Sequence, residues 1–460
     1  MSKFLSPTMA AVTPYTPGEQ PQDQQYIKLN TNESPYLPSP RVVAAVSEAE
    51  VEKLRLYSDP ACADLLRAAA AHFGLQPDQI MPGNGSDENL FFALRAFCDE
   101  SHPLAFADIT YGCYGVWCGL LHIPTHIIPL KEDFTLDPAD YHGLHETIVI
   151  ANPNAPTGLC LPRDAIEGIL RSNPDSVVIV DEAYVDFGGE SCVPLIDQYD
   201  NLLVVQTFSK SRQLAGARLG LAMGNAALIA DLNRVKFSLN PYNINRLTLK
   251  AGQAALEDTA YFEKTRAAIM DTRAWTMQQL TDRGFTVLDS RTNFVFASTE
   301  RINGGVLYKK LKENGILVRH FDAPRIENWL RITIGTPEQM QDNIAFMKDF
   351  RPLDPQERAA VDRVQAIFHG MHLIPCTSCR YCVDGCPQHI AIPNLFALMN
   401  TKQLYHDWNA DFYYEDVHTG PGRKASDCIR CGRCERICPQ HLPIRQLLVD
   451  VAKEFEKPQA

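Results

Sequence analysis

Between Leu104 and Thr207 the chain alternates short apolar runs with helical stretches, and the runs close on polar or proline-rich segments. Thr147-Ile-Val-Ile-Ala leads into Asn152-Pro-Asn-Ala-Pro-Thr-Gly158. Ser176-Val-Val-Ile-Val leads into Asp181-Glu-Ala-Tyr184, and Asn201–Gln206 leads into Thr207-Phe-Ser-Lys-Ser. Apolar runs of this length suit strands buried on both faces, and the helices between them make α/β the expected class. Ligands of open α/β sheets sit beyond the carboxyl ends of the strands, so chemistry is expected in these polar endings.

The stretch Thr207–Gly220 is the richest of them. Lys210 lies between two hydroxyls, Thr207 and Ser209, with Arg218 eight residues on. A lysine that condenses with a carbonyl must lose its proton near neutral pH, which calls for a desolvated or cationic setting. Thr207, Ser209 and Arg218 are phosphate binders by type. An amine beside a phosphate cup is what pyridoxal phosphate requires; a Ser/Lys-rich surface turn is the plain alternative. Asp181 at its strand end either caps the next helix or lies under a pyridine nitrogen. At ~4 Å and an effective dielectric near 20 the second arrangement is worth roughly 4 kcal/mol, about three pKa units. Tyr184 follows three residues on.

Elsewhere the candidates each carry a plain reading beside the functional one. Gly83 and Gly85 allow a tight turn before a helix opened by Ser86 and Asp87, and a helix N-terminus presents free N–H groups to an anion. Tyr111, after the strand near Leu104–Ala107, is either a ring-stacking face or core. Tyr15, Asn32 and Glu33 lie on irregular, proline-rich backbone, as solvated loop or at a site mouth. Helices are expected from Pro40 to about Leu56 and from about Ala61 to Phe73, around a turn at Tyr57-Ser-Asp-Pro. Arg319 and Arg331 interrupt apolar strands, either as structural ion pairs or as a fork for an anionic substrate group.

Eight of the 14 cysteines fall between Cys376 and Cys438. They form Cys376-x2-Cys379-x2-Cys382-x3-Cys386-Pro and Cys428-x2-Cys431-x2-Cys434-x3-Cys438-Pro. This spacing, used twice, is the bacterial two-cluster ferredoxin pattern, in which the fourth cysteine of each run serves the other cluster. One 4Fe-4S cluster then takes Cys376, Cys379, Cys382 and Cys438, and the other takes Cys428, Cys431, Cys434 and Cys386. Structural zinc needs four thiolates but not this spacing. Each run is followed by Pro-Gln-His and an apolar helix (Pro393–Asn400, Pro443–Phe455), an internal duplication. Residues 352–370 read as a linker and a helix.

A chain of 460 residues is too long for one core. Its net charge of −12 argues against nucleic acid or an anionic membrane as main partner. No apolar run is long enough to cross a bilayer, and the Pro/Gln-rich N-terminus reads as an extended arm and not a signal peptide, so a cytoplasmic location is expected.

Taken in order, Lys-Leu-Asn-Thr-Asn-Glu, Tyr-Ser-Asp-Pro, Gly-Asn-Gly-Ser-Asp-Glu, Asn-Ala-Pro-Thr-Gly, Asp-Glu-Ala-Tyr, Thr-Phe-Ser-Lys, Leu-Ala-Gly-Ala-Arg-Leu-Gly and Leu-Arg-Ile-Thr-Ile-Gly-Thr resemble the fold-type-I pyridoxal-phosphate aminotransferases, and most closely their histidinol-phosphate aminotransferase branch. The resemblance covers about residues 10–350. The tail is similar to the ferredoxin-like extension of certain bacterial aldo/keto reductases.

The resemblance implies an aspartate-aminotransferase-like fold: an arm (1–35), a large cofactor domain (36–255), a small α/β domain (256–350) and a mainly helical iron–sulfur domain (351–460). It implies transamination between an amino donor and a 2-oxo acid. Lys210 carries the cofactor and moves the proton, Asp181 pairs with the ring nitrogen, Tyr184 bonds the ring hydroxyl and Tyr111 stacks on the ring. Ser86, Asp87, Thr207, Ser209 and Arg218 hold the phosphate. Tyr57 reaches the phosphate of a neighbouring subunit in a homodimer. Arg331, helped by Arg319, Tyr15 and Asn32, takes the substrate's acidic group. One departure stands out: the family's asparagine before Pro-Thr-Gly is Ala155 here, with Asn154 as the candidate replacement. A phosphothreonine decarboxylase or an aromatic aminotransferase shares the cofactor motifs. An electron-transfer or redox-sensing protein on an aminotransferase-like scaffold is the reading from another class, as is a redox partner docking on the cysteine domain.

Overall fold

The computed structural model describes residues 5–10, 12–21, 23–348, 356, 359, 363 and 373–456. The linker and helix expected over 352–370 therefore lie outside the described residues, apart from those three positions. The chain divides into two compact units, Met1–Arg351 and Pro352–Ala460.

The first unit is built on a seven-stranded sheet. Its strands are β2 (Ile80–Gly83), β3 (Leu104–Ala107), β4 (Thr125–Ile128), β5 (Thr147–Ala151), β6 (Val178–Asp181), β7 (Leu202–Thr207) and β8 (Gly220–Gly224), in the order β2-β8-β7-β6-β5-β3-β4. Only β8 runs antiparallel to its neighbours. The alternation of strand side chains splits the core in two. Ile148, Ile150, Val178, Val180, Leu202 and Val204 pack on one face. Val149, Ile179, Leu203 and Val205 pack on the other, with Leu90, Tyr114 and Leu232. A sheet apolar on both faces must be covered by helices on both, as it is here.

β2 is absent from the sequence reading, which took Gln79–Leu90 as a turn and a helix. Pro82 hid it, because proline is tolerated only on edge strands and β2 is an edge. Its pairing sets Gly83 opposite Gly220, and β7 sets Thr207 opposite the same Gly220. The helix Ser86–Phe97 thereby starts beside the lysine stretch. Glycine is required at the seam: a Cβ on Gly220 would stand 2.4 Å from the Ser86 nitrogen.

A four-stranded antiparallel sheet follows, ordered β12 (Arg319–His320), β13 (Trp329–Thr333), β10 (Phe294–Ser298) and β9 (Thr286–Val287). The 24-residue helix Thr259–Asp282 and the helix Pro337–Lys348 pack with it. The segment read as irregular near residue 28 contains a short strand, β1 (Ile27–Lys28), paired in parallel with β11 (Ile316–Leu317). The expected helix from Pro40 to Leu56 is broken into Pro40–Ala45, Glu48–Glu52 and a 3-10 turn, Lys53–Arg55.

The second unit contains helices and no strand among its described residues. Its core repeats the duplication of the sequence: Ile390, Ile392, Phe396 and Met399 correspond to Leu442, Ile444, Leu448 and Val451, all buried.

Candidate active site and cysteine centres

The parallel strands β5, β6 and β7 end together, with Ala151 beside Asp181 and Asp181 beside Val205. Asp181 is 5% exposed. Its Oδ2 accepts from the Tyr114 hydroxyl at 2.6 Å and its Oδ1 from the Ala183 N–H at 3.2 Å. Burial pushes its carboxyl up to about 6, and these two hydrogen bonds oppose the rise. Tyr114 was not singled out from the sequence. The available signal was an aromatic one helical turn after Tyr111.

Lys210 leaves the end of β7 and its Nζ donates to the Thr31 carbonyl at 3.2 Å. It lies 5.9 Å from the centroid of the Tyr184 ring. Burial lowers its pKa to about 8, the Arg331 cation adds to the fall, and Glu33 opposes it. The Tyr184 hydroxyl accepts from Asn32 Nδ2 at 2.8 Å. Asn32 also accepts from Thr333 Oγ1 at 2.9 Å, and its carbonyl accepts from Asn293 at 3.0 Å. Asn32 therefore orients Tyr184 in this structure.

The cup candidates converge. Thr207 Oγ1 donates to Ser209 Oγ at 3.0 Å, and Arg218 Nη1 approaches Ser209 Oγ at 3.4 Å. Arg218 Nη2 pairs with Asp87 at 3.1 Å. Gly85, with φ +85°, leaves room for that guanidinium, which a Cβ would meet at 2.4 Å. Ser86 and Asp87 open the helix, but the Asp87 carboxylate is spent on Arg218 and on the Tyr111 hydroxyl at 3.0 Å. A carboxylate repels phosphate, so what Asp87 offers an anion is its backbone N–H and the positioning of Arg218.

At the other end, Arg331 lies 5.4 Å from the Phe294 ring and 5.5 Å from that of Phe321. Its Nη2 donates to the Asn30 carbonyl at 3.0 Å, and its Nε is buried without a partner. Neither Arg331 nor Arg319 forms an ion pair among the described residues. Arg319 instead donates to the carbonyls of Thr16 and Pro17, tying down the arm beside Tyr15, whose ring is 6.1 Å from that of Tyr111. Tyr57 stands apart: it is 79% exposed and stacks on Tyr242 at 4.5 Å.

Asn154 ties its loop to the segment after β3. Its Nδ2 donates to the Ile109 carbonyl and Thr157 Oγ1, and its Oδ1 accepts from Thr110. The residues present otherwise fit pyridoxal phosphate: a buried amine, a buried carboxylate, a hydroxyl-and-guanidinium cradle closed by glycines, and a buried guanidinium N–H without a partner.

In the second unit the cysteines line two cavities. One is bordered by Cys376, Cys379, Cys382 and Cys438, the other by Cys386, Cys428, Cys431 and Cys434. Each thus gathers three thiols of one run and the fourth of the other. Among the described residues no three His, Cys, Asp or Glu side chains converge on a single metal position.

Residues 24–345 match the family model described as aminotransferase class I and II, and residues 375–443 match that of a 4Fe-4S dicluster domain. The chain is 51% identical over 351 residues to histidinol-phosphate aminotransferase 1 of Bordetella parapertussis, covering 76% of this chain and 99% of that protein. It is 52% identical to the histidinol-phosphate aminotransferase of a Marinomonas species over the same shares. A putative histidinol-phosphate aminotransferase from Erwinia carotovora atroseptica superposes with a TM-score of 0.65 at 28% identity, covering 71% of this chain and 96% of that one. The Sinorhizobium meliloti histidinol-phosphate aminotransferase, solved with pyridoxal-5'-phosphate, superposes with a TM-score of 0.68 at 22% identity, covering 76% and 98%.

Proposed function

The chain belongs to the class I and II aminotransferases, and on that footing we propose that it moves the amino group of L-histidinol phosphate to 2-oxoglutarate, giving imidazole-acetol phosphate and L-glutamate. The carrying observation is the Lys210 amine at the end of β7, its pKa lowered to about 8 by burial and by the Arg331 cation. The substrate rests on relatives of that name at about half identity over nearly their whole length.

Pyridoxal phosphate, when bound, supplies the electron sink for loss of the α-proton. Lys210 Nζ would anchor the cofactor, and would then take the proton from the α-carbon of the donor and return it to the carbon that accepts it. With the cofactor bound, the Asp181 carboxylate would hold the ring nitrogen protonated, and the Tyr114 hydrogen bond favours the ionised carboxylate against burial. Tyr184, oriented by Asn32, would bond the ring hydroxyl, and Tyr111, held by Asp87, would offer its face to the ring. Thr207, Ser209, Arg218 and the N–H groups of Ser86 and Asp87 hold the phosphate. Asn154 stays in its loop, and the cup does without the ring-hydroxyl bond lost at Ala155, a cost of only ~0.5–1.5 kcal/mol. Arg331 takes the substrate phosphate or the 2-oxoglutarate carboxylate in turn. Arg319 and Tyr15 close the mouth. Exposed Tyr57 would complete the cup of a second subunit, so the working enzyme is read as a homodimer, in the cytoplasm. The domain division 1–35, 36–255, 256–350 and 351–460 follows from the same reading, and the two cavities of the last domain hold two 4Fe-4S clusters.

The test is optical. Histidinol phosphate added alone should abolish the cofactor's aldehyde-form absorption, and 2-oxoglutarate should restore it. Phosphothreonine or an aromatic amino acid acting faster would assign the site to another member of the family.

A further inference from the structure

The two cysteine runs share one backbone plan. Ser378 and Arg430, Arg380 and Gly432, and His389 and His441 take matching left-handed conformations. Their charge differs sharply. Residues 423–445 carry six cations against Asp427 and Glu435, whereas the equivalent 371–393 carries only Arg380 and Asp384. The first run shapes the same loop without those cations, so the loop does not need them to gather its thiols.

The cations of the second run face outward. Arg430, Arg433 and Arg436 are exposed, and none forms an ion pair among the described residues. Arg445 takes up Glu435 at 2.7 Å. The Arg436 and Arg445 guanidinium groups close over the turn next to Cys431, each within 3.8 Å of where a Gly432 Cβ would stand. Among these arginines along the sequence stand exposed apolar groups: Ile429 is 58% and Ile437 51% exposed, and Cys431 is exposed as well. Exposed apolar side chains interleaved with the unpaired Arg430, Arg433 and Arg436 along a metal-ligating run have the composition of a small, transient redox interface. On a chain of net charge −12 it is also a local exception.

We propose that this face docks an acidic one-electron carrier protein, steering its redox centre to the cluster edge at Cys431. The proposal rests on the iron–sulfur reading above. The reduced carrier gives up one electron and the oxidised cluster gains it; no bond is made or broken and no proton moves. Attraction by such a patch acts within about 10 Å at 0.1 M salt, so exchange should be fast at low salt and slow at high. Nucleic acid is the other polyanion that arginines attract, but the exposed Ile429 and Ile437 and the chain's net charge favour a protein.

The experiment uses the full chain, purified without oxygen, and a reduced acidic ferredoxin as probe in stopped flow. Iron content and transaminase rate are measured on every sample. The triple variant R430E/R433E/R436E should exchange electrons about ten-fold or more slowly at low salt, a gap that closes as salt rises. Its iron content and transaminase rate should match the wild type, and Arg380→Glu should stay within about two-fold. If the glutamates cost iron, the R430Q/R433Q/R436Q variant decides, with the same expected direction. Equal rates in wild type and triple variant overturn the docking face, as does an iron-loaded wild type that exchanges no electrons with the probe. Salt-sensitive nucleic-acid binding lost in the triple variant, without carrier exchange, overturns it as well. A wild type without iron overturns the cluster reading first and the docking face with it.

Discussion

The Tyr114 hydroxyl donates to Asp181 Oδ2 across 2.6 Å, and both side chains are shut away from solvent. Burial works against the charge that Asp181 needs, and the phenol offsets part of that cost. Removing a hydrogen bond to a charged group typically costs ~1.5–3 kcal/mol, of which about one pKa unit is expected to appear on the carboxyl. Tyr114→Phe should therefore weaken cofactor binding roughly three- to ten-fold at pH 6 and little at pH 8. Equilibrium dialysis of the apo-protein at the two pH values checks this.

The same carboxylate should show in stability. Its folded-state pKa, about 6, is above the ordinary 3.8, so the native state holds a proton that the unfolded chain releases. Apo-protein stability attributable to Asp181 is then full below pH 4 and is lost as pH rises through 6, on the order of 2–3 kcal/mol. Asp181→Asn should flatten this part of the urea-unfolding profile while lowering activity. Glu182, pushed up to about 7 by burial, leaves a residual slope in both proteins. An unchanged profile in Asp181→Asn would place the pH dependence elsewhere.

Crossed ligation predicts which cysteines act together. Cys438→Ser should perturb the same cluster's electron paramagnetic resonance signal as Cys376→Ser, and Cys386→Ser the same signal as Cys428→Ser. The wild type should hold about eight iron atoms per chain. Signals that group by run would refute the crossing.

Tyr57 offers a test of the dimer. Lys210→Ala and Tyr57→Ala should each be nearly inactive, yet refolding them together should restore activity, because one of the two sites in the mixed dimer pairs an intact Lys210 with an intact Tyr57. No recovery would mean that Tyr57 acts within its own chain.

Much of this site was legible because it lies on strand ends, where apolar runs point to the residues that follow them. Asp181, Lys210 and the β7 ending needed only local pattern. What stayed hidden depends on contacts between distant segments. Tyr114 reads as one more core aromatic until the helix Cys113–Leu121 folds its hydroxyl onto β6. Edge strand β2 was masked by Pro82, and with it the reason Gly220 admits no side chain. Asn32 and Arg319 read as substrate ligands, and the fold adds the long-range contacts that hold them, to Tyr184 and to the arm. In the cysteine domain the repeated spacing foretold which thiols line each cavity: short loops keep the first three of a run together, and the crossing of the fourth comes from the two-cluster pattern.

The most direct measurement is glutamate production from histidinol phosphate and 2-oxoglutarate, followed without oxygen in wild type and Lys210→Ala. The account predicts turnover in the wild type and a loss of about a thousand-fold or more in the variant. Equal turnover in both, or none in a cofactor-loaded wild type, would contradict it.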